Sequence, residues 1–87
     1  MFVILTYDIR QKRVAKMRSI VKSYLLLVQR SVFHGYLTQK QLHRLKAEII
    51  KHINTEEDAV LLYILTTTAG LHTEEFGIAS LREQDIL

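Results

Sequence analysis

The chain contains no cysteine and no proline, and only 3 of its 87 residues are glycine. Without cysteine it forms neither a disulfide bond nor a thiolate-ligated metal site, and it is compatible with a reducing compartment. Its 48% apolar content is too high for a disordered chain, and its length is too short for two cores. The sequence therefore predicts one compact domain, which excludes a multidomain enzyme and favours added stability from a partner subunit.

Long apolar runs are also missing. No uninterrupted apolar stretch approaches the roughly 20 residues that a membrane-spanning helix needs. The apolar N-terminus reaches Tyr7 and Asp8 before any basic residue, so it lacks the charged leader of a signal peptide. We therefore expect a cytoplasmic protein without a membrane partner.

Acidic residues are nearly absent from the middle of the chain. Residues 9–52 hold eleven of the twelve Lys and Arg against a single acid, Glu48, which gives +10. Residues 53–87 hold seven acids and only Arg82, which gives −6. The basic segment favours a surface that tracks nucleic-acid phosphates, and the alternative is a set of solvated helix faces that differ in sign.

Hydrophobic periodicity predicts alternating strands and helices. Runs of β-branched and aromatic residues indicate strands, and apolar residues spaced by three, four and seven indicate helices. The segment 28–37 fits one bent strand or two short strands. In chain order the predicted elements are a strand at 2–7, a helix at 10–27, the strand segment 28–37, a helix at 38–53, a strand at 59–66, a loop at 67–73, a short strand at 75–79 and a tail at 80–87.

Two helix starts carry capping signals. Asp8 with Gln11 and Thr38 with Gln41 both have the spacing of a capping box. The acid run at 56–58 reads as a solvated loop between the second helix and the next strand. The predicted apolar face of the second helix consists of Leu42, Leu45, Ile49, Ile50 and Ile53.

The order of elements predicts an α+β fold, a ferredoxin-like βαββαβ sandwich with a short extra C-terminal strand, in which residues 1–79 form one domain. Two helices cover only one face of such an antiparallel sheet. The other face should expose Phe2, Ile4, Val60 and Leu62, or their alternates. An apolar patch of that size normally marks an interface, so we expect a homodimer.

The chemistry-bearing motifs of several enzyme classes are missing. There is no glycine-rich phosphate loop, no G-x-S-x-G elbow and no H-E-x-x-H pattern. His43 and His52 are nine residues apart and face opposite ways on a helix, while His34 and His72 have no partner at a ligand-like spacing. A metal-assisted hydrolysis is the catalytic option that these motifs leave open.

Several strings together resemble one known family. They are VILTYDI at residues 3–9, Arg13 and Lys16 on the first helix, VQRSVFHGYLT at residues 28–38, and QL..L...I from Gln41. Their order and spacing resemble the small CRISPR-associated spacer-acquisition proteins, the Cas-two family. The sequence departs from that family at Leu27, where members often have Arg.

The resemblance implies a ferredoxin-like dimer, described as an endonuclease that acts on RNA or DNA with Mg²⁺ or Mn²⁺. It also implies the dimeric core of the complex that inserts new spacers into CRISPR arrays, with a larger integrase subunit as partner. The aspartate that ends the family's first strand is the metal-binding and catalytic residue, and it matches Asp8.

We predict a nucleic-acid surface that consists of Arg13, Lys16, Arg30, Ser31 and Phe33. Four alternatives stay open at this point. Asp8 could cap the first helix instead of binding metal, and Ser31 and Phe33 could simply pack in the sheet. The whole protein could be a non-catalytic dimeric adaptor that binds DNA and docks the integrase, or a regulatory module for a small ligand.

Overall fold

The computed structural model describes residues 1–67 and 70–78, in which two helices pack on one face of a five-stranded antiparallel sheet. The strand order β2-β3-β1-β4-β5 places β1 at the centre. This arrangement confirms the predicted ferredoxin-like α+β fold. The elements are β1 (Phe2–Asp8), α1 (Gln11–Lys22), β2 (Leu26–Gln29), β3 (Val32–Tyr36), α2 (Gln39–His52), β4 (Ala59–Thr66) and β5 (Gly70–Gly77).

The central strand β1 alternates between the two faces of the sheet. Val3, Leu5 and Tyr7 are buried beneath the helices, whereas the intervening residues are only partly buried. A strand places successive side chains on opposite faces, so one β-branched run serves two surfaces. On the helix side these residues join Phe33 and Leu62 in a single core.

No helix of residues 1–67 and 70–78 covers the opposite face of the sheet, which we call the open face. Phe2 and Ile4 lie on it as predicted. On β4 the prediction allowed Val60 and Leu62 or the residues that alternate with them. Val60 pairs with Tyr7 and Leu62 with Leu5, which directs both toward the helices, so the alternating residues lie on the open face.

The first helix is shorter than predicted. α1 ends at Lys22 rather than at residue 27, and the hydroxyl of Ser23 donates to the Ile20 carbonyl at 2.6 Å. Leu25 is still buried, which explains why the helical spacing of apolar residues continues past the helix end. The strand segment predicted at 28–37 is two strands, and the first of them already begins at Leu26.

The second helix begins with the predicted capping box. Gln41 N–H donates to the Thr38 hydroxyl at 3.1 Å, and the Gln41 side chain accepts from Thr38 N–H at 2.8 Å. The helix buries Leu45 and Ile49, but Ile50 is 57% exposed, so its place on the predicted apolar face is wrong. No helix in the described part of the chain is long and apolar enough to cross a membrane.

The last strand is longer than predicted. β5 pairs with β4 from Gly70 to Gly77, so the predicted loop at 67–73 is largely strand. Polar residues fill much of this edge strand, which is held by backbone pairing and therefore carries a weak hydrophobic pattern. Ala79 and the predicted tail at 80–87 lie outside the described residues.

Candidate active site

Asp8 ends the central strand with its carboxylate exposed. Because strand side chains alternate, Tyr7 enters the core while Asp8 lies on the same side of the sheet as Ile4 and Thr6. Among residues 1–67 and 70–78, no group forms a hydrogen bond or an ion pair with this carboxylate. The Asp8 oxygens are therefore available to a ligand.

The predicted capping box of Asp8 with Gln11 is wrong. The N-cap of α1 is Arg10, whose side chain makes no capping hydrogen bond. A carboxylate reaches the helix start from a distant residue, because Oδ1 of Asp58 accepts from the backbone N–H of Arg10 at 2.9 Å. A carboxylate stabilises a helix N-terminus because the free N–H groups there carry partial positive charge. Asp58 therefore caps α1, which is the role that the sequence suggested for Asp8.

Arg13, a predicted nucleic-acid contact, is held by two acids. Its Nε donates to Oδ2 of Asp58 at 2.6 Å, and its Nη2 donates to Oδ1 of Asp58 at 2.9 Å and to Oε1 of Glu57 at 2.7 Å. These hydrogen bonds, first to Asp58 and then to Glu57, raise the pKa of the guanidinium. The charge of Arg13 is thus compensated within the chain, and the structure gives this residue a structural role.

The prediction of a solvated loop at 56–58 is wrong for Asp58, which is 0% exposed. Hydrogen bonds from Arg13 lower the pKa of Asp58 from 3.8 to about 2; burial opposes this shift, and the backbone N–H groups of Arg10 and Asn54 reinforce it. The signal in the sequence is the position of Asp58 directly before a buried strand, where the chain re-enters the core.

A cleft of about 330 Å³ opens beside Asp8. Its walls include Arg18 from α1, and Arg30 and Ser31 from the turn between β2 and β3. Arg30 has a left-handed φ of 49°. The Tyr7 N–H donates to the Ser31 carbonyl at 3.3 Å, which joins this turn to β1. The fold therefore brings together Asp8, Arg30 and Ser31, three of the residues predicted from the sequence.

Arg18 is a residue of this cleft that sequence reasoning missed. It lines the cleft together with Tyr7, whose phenol has a pKa that burial raises and the positive charge of Arg18 lowers. A signal was available in the helix spacing. Arg18 follows Val14 by four residues, so the two share a helix face beside the end of β1.

Phe33 is fully buried and cannot contact a bound nucleic acid, so this prediction is wrong. Its ring centroid lies 5.6 Å from that of Tyr7, on the helix side of the sheet. Packing, the alternative open for Phe33, is therefore its role. Lys16 is exposed on α1 and is not among the described residues that line the cleft.

The cleft offers few ligands to a metal ion. The described residues contain no group of three His, Cys, Asp or Glu side chains placed to hold one together. Mg²⁺ commonly uses one or two carboxylates and completes its octahedron with water and substrate phosphates. Asp8 fits this chemistry as one ligand, so the described part of the chain supplies the minimum of one carboxylate.

Part of the charge separation along the chain is neutralised inside the fold. Lys46 donates to Glu74 at 2.8 Å, and Glu57 lies 3.9 Å from Lys12 in addition to its bond with Arg13. Glu57, Asp58 and Glu74, three of the acids in the described part of residues 53–78, are thus paired with basic side chains. Exposed basic residues on α1 include Lys16, Arg18 and Lys22.

Comparison with known proteins places this arrangement in a family. The family model described as CRISPR associated protein Cas2 matches residues 1–70. The chain belongs to the Cas2 family. The resemblance seen in the sequence is thereby confirmed.

Other Cas2 proteins are similar over most of their length. The CRISPR-associated endoribonuclease Cas2 of Dictyoglomus turgidum is 38% identical over 87 residues, which is 100% of both chains. The protein of the same name from Thermotoga maritima is 37% identical over 78 residues, 90% of each chain. A crystal structure of cas2 has a TM-score of 0.71 and 40% identity, and the match covers 83% of each chain.

Proposed function

We propose that this Cas2 protein is a divalent-metal-dependent endonuclease that hydrolyses phosphodiester bonds in RNA or DNA and acts as a dimer in CRISPR adaptation. The observation that carries the proposal is the exposed, unengaged carboxylate of Asp8 beside Arg18 and Arg30, with Asp58 capping α1 in its place. The relatives from Dictyoglomus turgidum and Thermotoga maritima are named endoribonucleases, which supports the same chemistry.

Each cleft residue has a role in this proposal. Arg18 and Arg30 bind oxygens of the phosphodiester, since a guanidinium donates two parallel hydrogen bonds to a phosphate, and the Ser31 hydroxyl adds one donor. Asp8 would hold Mg²⁺ or Mn²⁺, which would lower the pKa of a bound water and stabilise negative charge on the phosphate. Hydrolysis adds one water across a P–O bond, so that the water oxygen joins phosphorus and a proton goes to the leaving oxygen.

A second copy of the chain covers the open face in this proposal. Tyr36 is 81% and Leu26 is 70% exposed there, and the Phe2 ring packs edge-on against the rings of Tyr36 and His34. Exposed apolar surface of this kind usually marks an interface. Because Asp8 lies on the same side of the sheet, twofold pairing of two open faces supplies the second carboxylate.

A non-catalytic adaptor is the second candidate function. The described part of one chain offers a single carboxylate to the cleft, and Leu27, at a position where family members often carry Arg, packs against the core. In that case Lys16, Arg18 and Arg30 bind the phosphate backbone without cleavage, and the dimer docks the larger integrase subunit.

The substitution Asp8→Asn separates the two candidates. We expect it to reduce metal-dependent cleavage by at least about 100-fold, because the charge that holds the cation is lost. Dimer mass, salt-sensitive nucleic-acid binding and the thermal unfolding midpoint should not change, since Asp58 caps α1. Glu56→Gln, which removes an exposed carboxylate from a loop, is the matched control and should cleave like the wild type.

Equal cleavage by purified Asp8→Asn and wild type would show that the activity does not come from this cleft, and the adaptor would then be the better explanation. In either case the double variant Arg18→Ala and Arg30→Ala should weaken binding to unrelated sequences. It should also flatten the dependence of affinity on salt, because fewer phosphate contacts release fewer counterions.

A further inference from the structure

Asp58 connects four segments of the chain around the start of α1. Its carboxylate accepts hydrogen bonds from the backbone N–H of Arg10 and of Asn54, both at 2.9 Å, and from two nitrogens of Arg13. Its backbone carbonyl accepts from the N–H of Ile78, after β5, at 2.9 Å. A fully buried carboxylate with this many donors is held in one orientation.

A very short loop connects Asp8 to the residues that are hydrogen-bonded to Asp58. Only Ile9 and Arg10 separate β1 from α1. The N–H of Arg10 is bound to Asp58, and the side chain of Ile9 is buried. On the neighbouring strand, Asp8 pairs with Ala59, the residue that directly follows Asp58. The backbone of Asp8 is therefore fixed along the chain and across the sheet by contacts that converge on Asp58.

We propose that Asp58, held by Arg13, is a positioning residue for the Asp8 carboxylate. The inference rests on the proposed function of Asp8. Asp58 is buried outside the cleft lining among the described residues, so it acts through the loop rather than on the substrate. A shift of about 1 Å in a reacting group can cost roughly 100-fold in rate, so loosening this loop should lower turnover and leave substrate binding intact.

Glu57 provides a matched comparison on the same guanidinium. Its Oε1 accepts a hydrogen bond from Nη2 of Arg13 at 2.7 Å, whereas the carboxylate of Asp58 accepts from Nε of Arg13 and from the N–H of Arg10. Glu57→Gln therefore removes one negative charge from Arg13 while the connection between Asp58 and the loop remains.

The experiment measures kcat and KM for metal-dependent cleavage together with hydrogen exchange of the Arg10 amide. Folded Asp58→Asn should lose roughly 10- to 100-fold in kcat, with KM changed less than about twofold. Its Arg10 amide should exchange faster than in the wild type. Glu57→Gln should match the wild type in both measurements. Arg13→Lys keeps the charge but loses the two-nitrogen contact, so its kcat should fall by a smaller factor.

The outcomes separate this inference from the proposed function. Unchanged kcat in folded Asp58→Asn, beside an inactive Asp8→Asn, overturns the inference alone. Cleavage that does not depend on Asp8 overturns the proposed function and the inference with it. Should Asp58→Asn fail to fold, Arg13→Lys decides: a kcat equal to that of the wild type counts against the inference, and a lower kcat at unchanged KM supports it.

Discussion

The buried charge of Asp58 should make the stability of this protein sensitive to acid. Its pKa lies at about 2 in the folded chain, below an ordinary 3.8. At about 1.4 kcal/mol per pH unit, this difference contributes about 2 kcal/mol to the free energy of unfolding at neutral pH. Because the folded pKa is the lower one, the contribution is complete above about pH 5 and is lost as the pH falls through 3.8 toward 2.

Asp58→Asn removes this titration and can be compared with the wild type by urea unfolding. At pH 6 we expect the variant to be less stable by about 2–4 kcal/mol, since it loses the charge and leaves Arg13 without its partner. At pH 2.5 roughly two-thirds of the charge-dependent part of the difference should be gone. Subtracting the two curves cancels the titration of other acids that behave alike in both proteins.

Glu74→Gln is the control for breaking an ion pair. The bond between Lys46 and Glu74 is 2.8 Å long, but both side chains reach solvent, so its loss should cost about 1 kcal/mol or less. A stability difference between wild type and Asp58→Asn that stays constant from pH 6 to pH 2.5 would refute the reasoning. So would a variant as stable as the wild type at pH 6.

Two further predictions concern the dimer and the end of β5. Tyr36→Asp should convert the proposed dimer into a folded monomer by light scattering, because it places a charge on the open face; Ile50→Asp, on an exposed part of α2, should leave the mass unchanged. Dissociation by both variants, or by neither, would count against that face as the interface. Gly77→Ala should lower the free energy of unfolding by about 2 kcal/mol or more, because Gly77 has a φ of 89° and an added Cβ would lie 2.0 Å from the Asp58 carbonyl oxygen. Gly70→Ala, where φ is also positive at 70° but space is open, is the comparison and should cost less; equal losses would mean that the close approach to Asp58 has no effect.

Features that depend on neighbouring residues were predictable from the sequence. The capping box of α2 needs only Thr38 and Gln41, three residues apart, and both of its hydrogen bonds are present. The run at residues 2–7 predicted the strand β1, and the two-residue period of a strand places Tyr7 and Asp8 on opposite faces of the sheet. The family could also be recognised from the order of short strings, and the match over residues 1–70 confirms it.

The tertiary structure decided which acid serves which purpose. Asp8 and Asp58 each stand at a strand end, and their local sequences favoured capping for Asp8 and solvation for Asp58. The antiparallel pairing of β1 with β4 reverses these roles, because it brings Asp58 to the start of α1 and within reach of Arg13, 45 residues earlier in the chain. The local spacing of residues carries no information about a contact across that distance. Composition and spacing therefore specified the strands and helices, whereas the sheet register determined that Asp8 is free and Asp58 is buried.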